Sequence, residues 1–148
     1  MSAIPLLPNP KGYGRSTLAV ERWITNLRSP SRRHYLNNID HRTFARGSNT
    51  VIEPGIDIAD DVATIRAGQA QLENDRFILP NGHIYGHHDK TLYPISDLGF
   101  HQLDRPAFKA LGVYNKFGDT PRSNQILDNM SISAEAKEAA LQVWRLRQ

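Results

Sequence analysis

The sequence of 148 residues contains no cysteine, and only two tryptophans and two methionines. Without cysteine the chain forms no disulfide, no thiolate nucleophile, no iron–sulfur cluster and no Cys-ligated zinc site. No stretch approaches the roughly 20 apolar residues that span a bilayer, so we expect no membrane partner. The N-terminal residues lack a basic segment followed by an apolar one, which predicts that the chain carries no secretory signal and is cytoplasmic.

Positive charge is concentrated towards the N-terminus. Residues 1–46 carry eight Lys or Arg against two acids, whereas residues 47–148 carry ten against thirteen. Nearly all of the N-terminal cations are arginines, which bind phosphate in a bidentate manner. This pattern predicts a surface for nucleic acid, RNA rather than DNA, although a solvated helix face or a site for an acidic protein also fits. The residues assigned to this surface are Arg15, Arg22, Arg28, Arg32, Arg33, Arg42 and, for base stacking, Tyr93.

The chain length predicts a single globular domain over 15–148, preceded by a flexible arm over 1–14. A basic helical part over 15–46 precedes a mixed part over 47–148. Helices are predicted over 17–28, 31–40, 58–70, 105–117 and 134–147, with a shorter helix beginning at Pro121 and a loop over 43–56. Asp57, Asp104 and Ser133 are suitable N-caps for three of them.

Strands are predicted over 76–79, 83–87, 91–95 and 100–103, and Asn81-Gly82 is a strong hairpin signal between the first two. The fold class that follows is α+β, with N-terminal helices, a small antiparallel β-meander of three to four strands, and C-terminal helices.

Four of the six histidines fall between residues 83 and 101. On a strand over 83–87, the alternation of side chains places His83, Tyr85 and His87 on one face. His88 and Lys90 follow this strand, and Arg105 and Lys109 lie one turn apart at the start of a predicted helix. We therefore expect imidazole, phenol and cationic groups to meet at one edge of the sheet.

Such a set suits metal-independent cleavage of RNA. One imidazole removes the 2′-hydroxyl proton, a second protonates the leaving 5′-oxygen, and a cation stabilises the phosphorane. We predict His83 and His87 as base and acid, and Lys90 and Arg105 as the stabilising cations, with no cofactor and no metal. His88 and Tyr85 complete the predicted catalytic set.

Three other interpretations of the histidine segment stay open. His83, His87 and His88 are suitable ligands for zinc, nickel or copper. The segment is also compatible with nucleic-acid binding without chemistry, in which tyrosines stack on bases and cations hold phosphate. The third interpretation is an ordinary polar turn.

The chain resembles in style the bacterial ribonuclease toxins of the barnase, EndoU and colicin kind. The residues that carry the resemblance are His83, Tyr85, His87, His88, Lys90, Tyr93 and Arg105. EndoU-type enzymes use two histidines and a lysine, so the resemblance assigns these parts to His83, to one of His87 and His88, and to Lys90. It also implies an acidic inhibitor protein as a partner. The alternatives are a non-catalytic nucleic-acid-binding or regulatory protein and a protein-interaction or accessory module.

Overall fold

The structure is a computed structural model, and it describes residues 18–95 and 98–147. The predicted arm over 1–14 and Arg15 lie outside the described residues. The helices are α1 (Leu18–Thr25), α2 (Ile58–Arg66), α3 (Arg105–Phe117), α4 (Pro121–Asn129) and α5 (Ala134–Trp144). The strands are β1 (Ser48–Ile52), β2 (Gln71–Glu73), β3 (Arg76–Ile78), β4 (Ile84–His88), β5 (Thr91–Pro94) and β6 (Phe100–Asp104). Short 3-10 turns occur at Arg32–His34, Leu36–Asn38 and Arg145–Arg147.

The predicted fold class is confirmed: the protein is α+β, with a four-stranded antiparallel meander, β2-β3-β4-β5. In the sequence, α1 and α2 precede the meander, and α3, α4 and α5 follow it. None of the helices in the described ranges is long and apolar enough to cross a membrane. The residues group into two compact units. Unit 1 lies within Met1–Ser31 and Asp57–Leu98, and unit 2 within Arg32–Ile56 and Gly99–Gln148. The single domain over 15–148 stays a prediction.

Unit 1 is built around the meander, and tight turns connect its strands. Gly82 takes the left-handed conformation (φ 93°) that closes the turn between β3 and β4, as the Asn-Gly signal predicted. Asp89 and Lys90 both have positive φ, the geometry of a two-residue type I′ turn between β4 and β5. The fully buried side chains of this unit include Leu27, Ile65, Phe77, Tyr85 and Leu92.

Unit 2 is organised by α3, whose ends are fixed by local chemistry. The Asp104 carboxylate accepts a hydrogen bond from the Ala107 amide at 3.0 Å, and Gly118 ends the helix with φ 78°. The buried face of α3 packs with α4, α5 and β1 in one apolar core that includes Phe108, Leu111 and Tyr114.

The segment before β1 is attached to α3 by the Asn115 side chain. Its Nδ2 donates to the carbonyl oxygens of Leu36 and Ile39, each at 2.8 Å. These two bonds position the chain that continues into residues 40–45, which form one wall of the cavity described below.

Two predicted elements were wrong, and a third, the strand near residue 100, forms as predicted but belongs to another sheet. The helix over 31–40 is two 3-10 turns, because Tyr35 is extended (ψ 125°) and bridges to Ile52. The loop over 43–56 contains strand β1. The strand near residue 100 pairs with β1 instead of joining the meander, whose remaining edge is the unpredicted strand β2. Strands β1 and β6 pair antiparallel with Val51 opposite His101, a contact between residues 50 positions apart that local patterns do not reveal.

Candidate functional site

His83, the predicted general base, is part of a buried network in unit 1. The residue is only 8% exposed to solvent. Nδ1 lies 2.5 Å from Asp61 Oδ2, and Nε2 donates to the Leu98 carbonyl oxygen at 3.0 Å. Both ring nitrogens therefore have partners within unit 1, and this arrangement is that of a structural histidine.

Asp61 is the centre of this network. It is 2% exposed and lies in the first turn of α2. Besides its contact with His83, it accepts hydrogen bonds from the Tyr85 hydroxyl at 2.6 Å and from Asn81 Nδ2 at 2.9 Å. The Tyr85 hydroxyl is therefore committed to the Asp61 carboxylate, and one carboxylate connects α2, the β3–β4 turn and β4.

The other residues of the histidine segment lie towards solvent. The half-buried His87 ring places Nε2 2.9 Å from Asp75 Oδ1 and packs against Trp23, with ring centroids 5.0 Å apart. The His88 side chain is 84% exposed, and Lys90 is exposed in the β4–β5 turn. The structure thus brings His87, His88 and Lys90 into one hairpin.

The remaining predicted site residues are distributed over the two units. Tyr93 is half-exposed, and its ring covers Gly86 on the neighbouring strand. Arg28 donates to Thr91 Oγ1 and to the Asp89 carbonyl oxygen, so it fixes the β4–β5 turn. These residues belong to unit 1, whereas Arg105 belongs to unit 2.

Arg33 in unit 2 also has a structural role. It donates to Asn49 Oδ1 at 2.6 Å and to the Phe44 carbonyl oxygen at 3.1 Å, and burial lowers the pKa of its guanidinium. The predicted nucleic-acid-binding arginines whose side chains are exposed are Arg22, Arg28, Arg32 and Arg42.

A cavity of about 630 Å³ opens in unit 2. It lies between the segment over 40–45, α3, and the region of α4. The apolar part of its lining is formed by Phe44, Ala45, Val113, Phe117, Ile126 and Met130. The polar part is formed by Asp40, His41, Thr43, Arg105 and Lys109. Sites of this volume enclose small organic molecules.

Two cations of the lining come from neighbouring turns of α3. Arg105 and Lys109 are both exposed, and four residues apart on a helix they share one face. Arg105 Nε donates to the Ala45 carbonyl oxygen at 3.2 Å, which holds its guanidinium beside the cavity. Among the residues that the structure describes, none accepts a hydrogen bond from the Lys109 ammonium group.

The aromatic groups of the cavity differ in exposure. The Phe44 side chain is 72% exposed, although phenylalanine is normally buried. Phe117 is held by the His41 ring, with centroids 5.6 Å apart, and by the Arg122 guanidinium, 4.5 Å from the Phe117 centroid. The cavity therefore combines an exposed aromatic ring, a fixed aromatic ring and cations.

Asp40 is the acidic residue of the lining. Its Oδ1 accepts from the Arg42 amide at 2.8 Å, and this bond, with smaller contributions from His41 and Thr43, holds the pKa of Asp40 below its usual value. Asp40 is therefore ionised near neutral pH. Its negative charge lies in a unit that carries eleven Lys or Arg against seven acids.

This cavity is not predictable from local sequence patterns, because its lining comes from segments that are distant in the sequence. The spacing of Arg105 and Lys109 is the one signal of it that the sequence contains. The contact between His101 Nε2 and Glu53 Oε2, at 3.2 Å, was not predicted either; it connects β6 with the residue after β1. Neither residue of that pair lines the cavity.

The fold and the cavity define a small α+β protein with a cavity lined by apolar and cationic side chains. Comparisons of the chain with protein-family models, with curated proteins and with solved structures find no match. Within residues 18–95 and 98–147, no group of three or more His, Asp or Glu side chains is placed to hold a metal ion.

His34, in the basic segment, gives a prediction for the pH dependence of stability. Its Nδ1 donates to the Thr50 carbonyl oxygen at 2.8 Å. Burial, and then the charges of Arg33 and Arg46, lower the pKa of His34 from 6.5, against the opposing effect of the Thr50 bond. As the pH falls, His34 is therefore protonated more readily in the unfolded chain than in the folded chain. The stability that neutral His34 contributes is fully present above about pH 6.5 and is lost as the pH falls through the lowered pKa of the folded chain.

We expect the free energy of unfolding to decrease from pH 7.0 to pH 5.5, and to decrease less in His34→Asn, which keeps an N–H donor for Thr50. Urea titrations at several pH values measure both slopes. His88→Asn, at an exposed position, is the control and should behave as the native chain does. Equal slopes in the native chain and His34→Asn would contradict this explanation.

Proposed function

We propose that this protein binds single-stranded nucleic acid through unit 2. The observation that carries the proposal is the exposed Phe44 ring at a cavity that Arg105 and Lys109 also line. Proteins that bind single strands combine cations along the backbone with aromatic side chains on which bases stack. RNA is the favoured polymer, as the arginine-rich sequence suggested.

Other exposed cations of unit 2 support this proposal. Arg42 and Arg46 flank the segment over 43–45 that lines the cavity, and Arg32 lies in the 3-10 turn that precedes it. Each is exposed and can approach phosphate without losing a buried contact. A single strand is favoured over a duplex, because the bases of a duplex are stacked and paired and do not reach a cavity of this kind.

Removal of Lys109 should weaken this binding. We expect Lys109→Ala to lower the affinity for a labelled 20-nucleotide RNA by about three- to tenfold, and to reduce the slope of log K against log salt by about 0.7, the value for one phosphate contact in a single strand. Fluorescence anisotropy at several salt concentrations measures both quantities.

Lys116→Ala is the matched control, since Lys116 is exposed on the same helix but does not line the cavity. A loss of non-specific charge alone would change the two variants equally. Equal slopes for both variants would therefore count against a role for the cavity, and absence of RNA binding by the native chain would refute the proposed function.

RNA cleavage by the histidine segment stays a prediction. With His83 and Tyr85 engaged by Asp61, it depends on His87, His88 and Lys90. The test is incubation with total RNA in EDTA, with His88→Ala compared with Gln69→Ala, an exposed position of the same unit outside the histidine segment. Fragments that disappear in His88→Ala but not in Gln69→Ala would support catalysis in addition to binding. Intact RNA would refute the cleavage hypothesis.

A further inference from the structure

We propose that the cavity of unit 2 is a subsite for one unstacked nucleotide of the bound strand, with the base in the apolar part and its phosphate at Arg105 and Lys109. This inference rests on the proposed function and deepens it. The exposed arginines would then attract the backbone of the strand in general, whereas the cavity would bind one base specifically.

The size and lining of the cavity favour a nucleotide. Its volume of about 630 Å³ falls in the range of sites for small organic ligands. Val113, Phe117 and Ile126 provide apolar surface for the faces of a base, and Phe44 provides an exposed ring for stacking. An isolated phosphate or sugar phosphate has no group that would use this apolar surface.

The charges of the lining give the bound nucleotide an orientation. Arg105 and Lys109 attract phosphate to the α3 side, and the Ala45 carbonyl holds Arg105 in place before the ligand arrives. Asp40 repels phosphate from the opposite segment of the lining. An ionised carboxylate only accepts hydrogen bonds, so Asp40 favours the base edge, and in particular a base with an exocyclic amino group. Adenine and cytosine have such a group on the pairing edge, and uracil has none.

An acidic, apolar protein segment is the competing occupant, because exposed Phe44 and Met130 would also fit a protein interface. The nucleotide is favoured by the volume of the cavity and by the two cations on adjacent turns of one helix. A protein partner is expected to contact a broader patch than the cavity alone. Binding of such a partner is therefore one of the outcomes that the test distinguishes.

The experiment uses the full chain and four small probes: 5′-AMP, 5′-UMP, ribose 5-phosphate and inorganic phosphate. Methyl NMR titrations follow Val113, Ile126 and Met130. We expect 5′-AMP to shift these methyl signals and to bind about tenfold more tightly than ribose 5-phosphate, as stacking of one base implies. 5′-UMP should bind less tightly than 5′-AMP, and Asp40→Asn should reduce that difference.

Two variants test the cavity itself. Phe44→Ala removes the exposed ring, and Met130→Trp places a larger side chain in the cavity. Both positions are exposed, so each variant should fold, and thermal melts check this. Each variant should abolish detectable 5′-AMP binding and weaken binding of the labelled RNA by less than about tenfold, because the other cations still hold the backbone. Leu146→Ala, an exposed apolar position outside the lining, is the control and should change neither.

The outcomes separate this inference from the proposed function. RNA binding without 5′-AMP shifts, and without an effect of Met130→Trp, would overturn the subsite and leave the proposed function intact. Failure of both ligands to bind would refute both proposals. Shifts of the same methyl signals by an acidic peptide containing phenylalanine, but not by 5′-AMP, would overturn the subsite in favour of a protein partner.

Discussion

Asp61→Ala should lower the free energy of unfolding of unit 1 by about 4 kcal/mol, since each buried group that loses its hydrogen-bond partner costs about 1–3 kcal/mol. The carboxylate is the shared partner of His83 Nδ1, the Tyr85 hydroxyl and Asn81 Nδ2. Without it, His83 and Tyr85 keep the cost of burial and lose the bond that offsets that cost. Among the described residues of unit 1, no other side chain is expected to remove so many hydrogen bonds to buried groups when it is replaced.

The two tryptophans make this measurement specific to unit 1. Trp23 packs against Phe77 in unit 1, and Trp144 lies in unit 2. The Trp144 Nε1 has no hydrogen-bond partner among the described residues, so Trp144→Phe is a suitable background in which Trp23 reports alone. Urea unfolding of Asp61→Ala is then followed by Trp23 fluorescence.

Asp60→Ala is the matched control for Asp61→Ala. Asp60 is exposed in the same first turn of α2, so its loss should cost only about 0.5 kcal/mol through the helix dipole. If the two variants lose similar stability, the network around Asp61 does not hold unit 1 together. His83 would then be available for the catalytic role that the sequence suggested.

Gly112→Ala should destabilise unit 2 by about 2 kcal/mol, the usual cost of forcing an extra carbon into a packed site. A Cβ at residue 112 would overlap the Asp40 carbonyl oxygen and lie 2.8 Å from its carbonyl carbon. These are backbone atoms, so the clash cannot be relieved by turning a side chain. Helix propensity alone predicts the opposite, a gain of about 1 kcal/mol.

This substitution should also weaken ligand binding, since relief of the clash moves the segment over 40–45 that lines the cavity. Thermal and urea unfolding give the stability, and anisotropy gives the affinity for RNA. Gly47→Ala is the control, because a Cβ there meets no atom within 4 Å. A stabilised Gly112→Ala protein would show that α3 does not contact the backbone at Asp40.

Much of the fold could be predicted because it is encoded locally. Asp57, Asp104 and Ser133 cap α2, α3 and α5 as expected, and the Asn81-Gly82 turn forms the hairpin. The pairing of β1 with β6 could not be predicted, since its partners are about 50 residues apart and each strand is short.

The candidate site was harder to predict, for two reasons. Alternation along β4 identifies residues that share a face, but it does not show whether that face meets solvent or the buried Asp61, 22 residues before His83. The cavity of unit 2 exists only after the segment over 40–45, α3 and α4 come together. An exposed Phe44 cannot be distinguished from a buried one in a sequence.

The most direct test of the central claim compares two double variants in one RNA titration. Phe44→Ala/Lys109→Ala removes the exposed ring and a cation of the cavity, whereas Leu146→Ala/Lys116→Ala removes an exposed apolar side chain and a lysine elsewhere on unit 2. We predict that the first loses at least about tenfold in affinity at moderate salt and the second less than about threefold. Equal affinities for the two would contradict binding of single strands at this cavity.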